Sequence, residues 1–325
     1  MSGERIALRR QSGLTLVELM MALTLGLSLV MAAAALLVSG KAAYTAHDEG
    51  VRIEESGRYA IESISHAVRQ AAYHNWDYAA APADLAEISA GLAGLDAQGQ
   101  TEAHGLERSA GSSVNGSDVL ALRFAGSGAG PKGDGTMINC AGSGVPQPAS
   151  LESDRGWSIF YVGAGRAGEP ELRCKYLGDT SWQTDAIVRG VESFQVLYGL
   201  DSDADGLPNR YLTATAIDGL DASAGLASPG SETAKQAIDR NKRTHWKKVV
   251  SLKVAVLVRA TQAGKQGATD GQFNLFGDDY ARLYQAGDPG STIFEAQLPA
   301  PSRNRLRKVF ASTIYLRNQN SGGGT

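Results

Sequence analysis

The feature that most constrains this chain is a run of twenty residues, Leu19 to Val38, without a charge. Thr24, Gly26 and Ser28 are the only interruptions among Leu, Met, Ala and Val. A helix rising about 1.5 Å per residue over this length spans roughly 30 Å, the thickness of a bilayer's hydrocarbon core. Arg5, Arg9 and Arg10 stand ahead of it. Positive charge is retained on the cytoplasmic side, so the N-terminus is expected inside and the chain beyond Val38 outside. A cleaved secretory signal is the simpler reading, with Ala42-Ala43 as a weak cutting site, but the run exceeds a usual signal core. A carboxylate, Glu18, also sits at its edge, where membrane insertion disfavours it by about 2.5–3.5 kcal/mol. Some group should compensate that charge.

The residues that follow the basic leader, Gly13-Leu14-Thr15-Leu16-Val17-Glu18-Leu19-Met20-Met21-Ala22-Leu23, resemble the N-terminal signature of type IV prepilins and type II secretion pseudopilins. The resemblance implies that a prepilin peptidase cuts between Gly13 and Leu14 and that the new terminus, Leu14, is N-methylated. Glu18 then becomes the fifth residue of the mature chain, where the family keeps its glutamate. The resemblance implies an assembly role for it, pairing with a neighbouring subunit's terminal amine to set register. Elementary electrostatics gives Glu18 the same kind of task. Cleavage would create an amine at Leu14, and a carboxylate within the first turns suits both that amine and the positive end of the helix dipole.

Beyond Val38 the apolar residues Ile53, Ala60, Ile61, Ile64, Ala67, Val68, Ala71 and Ala72 follow a helical period. They predict one long helix from about Leu14 to Tyr73, its second half laying an apolar stripe on a folded domain. Gly40, Gly50 and Gly57 are weak points in it. The Ala- and Gly-rich stretch 82–116 reads as loop with a short helix. Strand signals recur at Asp118–Phe124, Trp157–Gly163, Glu171–Leu177, Ala186–Gly199, Lys248–Arg259 and Lys308–Arg317. Alternation of apolar and polar residues predicts an antiparallel sheet with one packed and one wet face. The expected fold class is α+β, pilin-like, with a long N-terminal helix packed on an antiparallel sheet. The expected organisation is a leader over 1–13, a helix over 14–80 with its membrane segment at about 14–38, and an exported β-rich domain over 81–325.

Further motifs lie in the C-terminal half. Gly190-Val191-Glu192-Ser193-Phe194-Gln195-Val196-Leu197-Tyr198-Gly199, Trp246-Lys247-Lys248-Val249-Val250, Val256-Leu257-Val258-Arg259 and Tyr315-Leu316-Arg317-Asn318 together resemble the PilW family of minor pilins. The likeness covers the N-terminal motif and residues 186–318. It implies a low-abundance subunit that primes type IV pilus assembly near the tip. The implied partners are other minor pilins, the major pilin, the prepilin peptidase and the inner-membrane assembly platform. The implied location is the inner membrane of a Gram-negative bacterium, then the pilus. A type II secretion minor pseudopilin shares the N-terminal motif and is the first alternative; a membrane-anchored calcium-dependent adhesin is the second.

Asp201, Asp203 and Asp205, followed by Gly206, write D-x-D-x-D-G, the start of a calcium loop. Leu207 would offer its carbonyl and Asn209 would stand at the ninth position. The twelfth position, which needs a bidentate glutamate, is Leu212, so a further carboxylate such as Asp218 or Asp221 would have to arrive. Asp and Gly also form plain turns, and that reading stays open. Cys140 and Cys174 lie in the exported part, where an oxidising compartment favours a disulfide between them. No catalytic constellation is visible. The five histidines form neither H-x-H nor H-E-x-x-H, and no G-x-S-x-G occurs, so an enzyme is not expected. The formal net charge of -3 gives no reason to expect nucleic acid as a partner.

Overall fold

The computed structural model describes Gly13 and residues 15–75, 85–101, 103–108, 111, 113–165, 168–263 and 271–318. The leader arginines, Leu14 and the Gly-rich tail at 321–325 lie outside the described residues. The elements in chain order are α1 (Leu16–Gln70), β1 (Leu92–Leu95), β2 (Val119–Phe124), β3 (Gly156–Ala164), β4 (Pro170–Leu177), β5 (Trp182–Arg189) and β6 (Val191–Leu200). Then follow β7 (Arg210–Leu212), α2 (Ala214–Ser223), α3 (Ala234–Arg243), β8 (Val249–Ala263), β9 (Gln272–Asn274), α4 (Asp278–Tyr284), β10 (Thr292–Phe294) and β11 (Arg305–Tyr315). By contacts the chain divides into residues 1–48 and 49–325.

In the first unit α1 carries the apolar run, and its Leu, Met and Val side chains are exposed. The polar interruptions are satisfied within the helix. Thr24 Oγ1 donates to the Met21 carbonyl and Ser28 Oγ to that of Thr24, at 2.9 and 2.8 Å. Hydroxyls bonded to their own helix add no unmet polar group to an apolar surrounding.

In the second unit the remainder of α1 buries Ile53, Ala60, Ile64, Ala67, Val68 and Ala71 in the main core. The helix stops because Ala72 turns left-handed, at φ 58°. Its N–H then leaves the helix for the Arg123 carbonyl of β2, at 2.9 Å. Asn318 Nδ2 donates to the carbonyls of Arg69 and Ala71, satisfying acceptors that every helix end exposes. The predicted helix therefore ends close to where its periodicity does.

The strands make two larger sheets, not one. The first is an antiparallel meander in the order β1-β2-β3-β4-β5; the second is antiparallel in the order β11-β8-β6-β7. The stretch Ala186–Gly199, read from sequence as one strand, is divided between them. Gly190, at φ 79°, breaks it into β5 of one sheet and β6 of the other. A residue with a Cβ adopts that conformation only at a cost, which is why glycine stands there. The stretch 82–116 holds β1, which its weak alternation did not announce.

The core lies between α1 and the inner faces of both sheets, with Leu120, Leu122, Phe160 and Leu172 from the first and Phe194, Val196, Leu252, Val254 and Val256 from the second. The predicted wet face of the second sheet is only partly wet, and β6 is buried at all ten positions. Leu275, Ile293 and Leu298, from the segment 271–302, cover Ala255 and Leu257 on the outer face of β8.

Candidate functional site

The N-terminal processing signature begins a helix, and its residues show how. Thr15 N–H and Oγ1 both donate to Glu18 Oε2, each at 2.9 Å, and Glu18 N–H donates back to Thr15 Oγ1 at 3.3 Å. This is a reciprocal capping box, which satisfies orphan donors of the first turn. Sequence reading assigned Glu18 to a terminal amine and missed Thr15, although T-x-x-E is itself a legible cap signature. Leu14, whose amine was expected as the partner, lies outside the described residues. One glutamate oxygen serves the chain's own cap.

The acidic loop connects β6 to β7. Asp201 N–H donates to the Lys248 carbonyl and Asn209 N–H to that of Leu200, which fixes both ends of the loop to the sheet. Within it, Asp201 Oδ1 accepts from the N–H of Asp203 and Ala204, and Oδ2 from that of Gly206, at 3.2, 2.7 and 2.9 Å. Burial tends to raise the pKa of Asp201, but these amides more than offset it and hold it below the usual carboxylate value. Gly206 takes φ 83°, the sharp turn a calcium loop needs at its sixth position.

Oxygen atoms of Asp201, Asp203 and Asp205 lie within 4.8 Å of one another, so the cluster could hold a metal ion. Hard oxygen donors of this kind suit a hard cation. Asn209 is brought to the loop, but its Oδ1 accepts from Ser202 and its Nδ2 donates to Asp203 Oδ2. Leu207 N–H donates to Asp205 Oδ1. Neither candidate for the missing carboxylate serves the loop. Asp218 binds Arg108 and the Trp246 indole N–H, at 2.7 and 2.8 Å. Asp221 binds Thr244 and His245, at 2.5 and 2.7 Å.

Cys140 and Cys174 are joined by a disulfide, with Cα atoms 5.8 Å apart. It ties the Gly-rich segment around Cys140 to the middle of β4. Cys140 N–H also donates to Ser158 Oγ of β3, at 3.0 Å, so bond and hydrogen bond fix the same segment to the first sheet.

A buried ionic cluster went unread in the sequence. Arg307 of β11 donates through Nε to Glu192 Oε2 at 2.6 Å and through Nη1 to Glu295 Oε1 at 3.0 Å. The Arg307 and Glu295 side chains are fully buried, and that of Glu192 is 2% exposed. Burial raises the pKa of Glu192 and the Arg307 guanidinium works against that rise. Arg259 adds a second cation 3.4 Å from Glu192 and is drawn down to about 10 by burial and by Arg305 and Arg307. The cluster fastens the covering segment 271–302 to the sheet. Isolated Glu and Arg letters give no hint of such a meeting across the sequence.

Comparison with known proteins adds two family matches. The family described as Type IV Pilus-assembly protein W matches residues 159–318, and the prokaryotic N-terminal methylation motif matches residues 8–34. No curated protein matches the chain. Among solved structures, a type IV-like pilin from Thermus thermophilus is similar, with 14% identity and a TM-score of 0.38, covering 82% of this chain and 98% of that one. The apolar N-terminal helix and the methylation motif fit a membrane-anchored pilin. Proteins of the pilin family are structural, not enzymatic. With the methylation motif at the start of α1 and the second match running from β3 to the end of the second sheet, the matches support a type IV pilin of the PilW family.

Proposed function

We propose that this pilin is a minor subunit that primes type IV pilus assembly and resides near the filament tip. The observation that carries the reading is the coincidence of the two matches, a processing motif over residues 8–34 and the pilus-assembly family over 159–318. Prepilin peptidase cuts between Gly13 and Leu14, and Leu14 is then N-methylated. Before assembly the chain waits in the inner membrane with its N-terminus in the cytoplasm. The assembly platform extracts it, and α1 packs beside the helices of the major pilin and other minor pilins. Glu18 keeps one oxygen on its own cap, which leaves the other for a neighbour's amine. A residue bulkier than Gly13 should leave the precursor uncut, seen as a slower band; normal processing refutes the cleavage. Glu18→Ala should be processed yet fail to restore filaments in a strain lacking the gene. Unaltered filaments refute the register role. If deleting the gene abolishes protein secretion and spares surface filaments, the chain is a secretion pseudopilin.

The proximity of three carboxylates favours a second, compatible reading, in which the loop at 201–209 binds calcium. Asp201, Asp203 and Asp205 supply side-chain oxygens, Leu207 a carbonyl, and Asn209 supports the rim. With no glutamate at the twelfth position the affinity suits millimolar extracellular calcium. Asp203→Ala should remove a calcium-dependent rise in melting temperature without changing the value in chelator. An equal loss in chelator identifies a plain turn.

A further inference from the structure

The outer face of the second sheet is covered at one end by the segment 271–302 and left open at the other. There β7, β8 and β11 form the floor of a cleft of about 1120 Å³, and α4 forms one wall. Its size lies just above that of ordinary small-molecule sites, which run roughly 300–1,000 Å³. Neither the acidic loop nor the N-terminal motif contributes to it.

Three properties of the lining define what it can hold. The wall is aromatic. Phe276, Tyr280 and Tyr284 stand four residues apart, with ring centres 5.2 and 4.9 Å from one neighbour to the next. Tyr284 is 54% exposed, so a face of this ladder is open. Across the floor, Lys253 holds its ammonium 4.0 Å above the ring of Tyr211, whose hydroxyl pairs with Ser251 Oγ at 3.1 Å. The charges balance, since the lining carries two cations, Arg210 and Lys253, and two carboxylates, Asp279 and Asp288. Finally, the cleft holds a buried acceptor. Asp288 is 4% exposed; its Oδ2 accepts from the Tyr280 hydroxyl at 2.8 Å, and Oδ1 accepts no hydrogen bond from any described residue. Burial holds this carboxyl up at about pKa 6, above the ordinary value.

A balanced charge favours neither a strongly anionic nor a strongly cationic ligand. Donors (Lys253, Arg210) and acceptors (Asp288, and Asp279 beside its partner Arg282) set around the open ring of Tyr284 call for a ligand dense in hydroxyls yet flat and apolar on one side. A pyranose ring has that chemistry, presenting C–H bonds to an aromatic face and hydroxyls to the rim. We propose that this cleft is a binding site for neutral oligosaccharide, with Tyr284 as the stacking platform and Asp288 as an acceptor for sugar hydroxyls. The site is independent of the filament role and gives the exported part of the chain a surface ligand.

The test uses the full chain in a phosphocholine detergent, because maltoside or glucoside headgroups would occupy the cleft. Chitohexaose and maltohexaose are titrated calorimetrically against the wild type, Tyr284→Ala, Tyr284→Trp and Tyr59→Ala. At least one sugar should bind saturably. Tyr284→Ala should lose about tenfold in affinity, the size of one stacking contact, and Tyr284→Trp should keep it. Tyr59→Ala, which removes an equally exposed tyrosine from α1, should bind as the wild type does. Matching melting curves will show that the variants are folded. Absence of saturable binding by both sugars overturns the proposal, as does unchanged affinity in a folded Tyr284→Ala.

Discussion

Gly57 offers a direct check on how α1 is seated. Replacing glycine by alanine inside a helix gains about 0.8–1.0 kcal/mol of propensity when nothing else changes. Gly50 meets that condition, since a Cβ there would touch nothing within 4 Å. At Gly57 the added Cβ would fall among the ring carbons of Phe310 on β11. Phe310 packs against the main core, so its ring cannot swing away freely. Overpacking of this kind costs about 1–3 kcal/mol. Gly50→Ala should therefore stabilise the chain by up to about 1 kcal/mol. Gly57→Ala should fall between neutral and about 2 kcal/mol of destabilisation, once the overpacking cost is set against the propensity gain. Urea unfolding of the full chain in detergent, followed by fluorescence of Trp157 and Trp246, measures the difference. Adding Phe310→Leu to Gly57→Ala should restore part of the loss, because the two residues share one space. If Gly57→Ala stabilises as much as Gly50→Ala, the close approach of α1 to β11 is wrong.

Thr15→Val removes the cap donor and acceptor; it should cost about 0.5–2 kcal/mol at the first turn, read as faster amide exchange at Leu16–Leu19 in micelles. Unchanged exchange refutes the capping box. Arg307→Met leaves Glu192 and Glu295 buried without their shared cation and should cost about 3–5 kcal/mol in chemical unfolding; a loss below about 1 kcal/mol would place the cluster among weak surface pairs. Burial first, then Arg155 and Lys247, lower the pKa of His74 from 6.5 to about 4. The unfolded chain therefore takes up this proton before the folded one does, so the contribution of His74 is complete above pH 6.5 and is lost as pH falls toward 4. His74→Gln should flatten the fall in melting temperature over that window, and an unchanged profile refutes the assignment.

Patterns with a short period were legible in the sequence. The apolar run, the helical stripe from Ile53 to Ala71 and the alternation in β8 each repeat within a few residues, and the structure keeps them. Illegible features depended on partners distant in the chain. Nothing local announces that Gly190 would send β6 to a different sheet from β5. The wet face expected of the second sheet was partly lost because residues 271–302 return to cover Ala255 and Leu257 of β8 and to accept hydrogen bonds from Ser193 and Gln195 of β6. The acidic loop was readable as a motif, but the commitment of Asp218 to Trp246 and of Asp221 to His245 was not. Thr15 is the one omission the letters did contain.

The anchoring of α1 also decides where a mechanical pull on this molecule would be borne. Glu49 holds the Thr261 amide of β8, Glu54 pairs with Lys308 of β11, and the helix end is fastened through Asn318 and the Arg123 carbonyl of β2. Tension applied along the helix passes to the sheets through those ties and through the apolar stripe from Ile53 to Ala71, and the staple between Cys140 and Cys174 is not among them. Reducing that bond would slacken a side loop while leaving the load-carrying route intact.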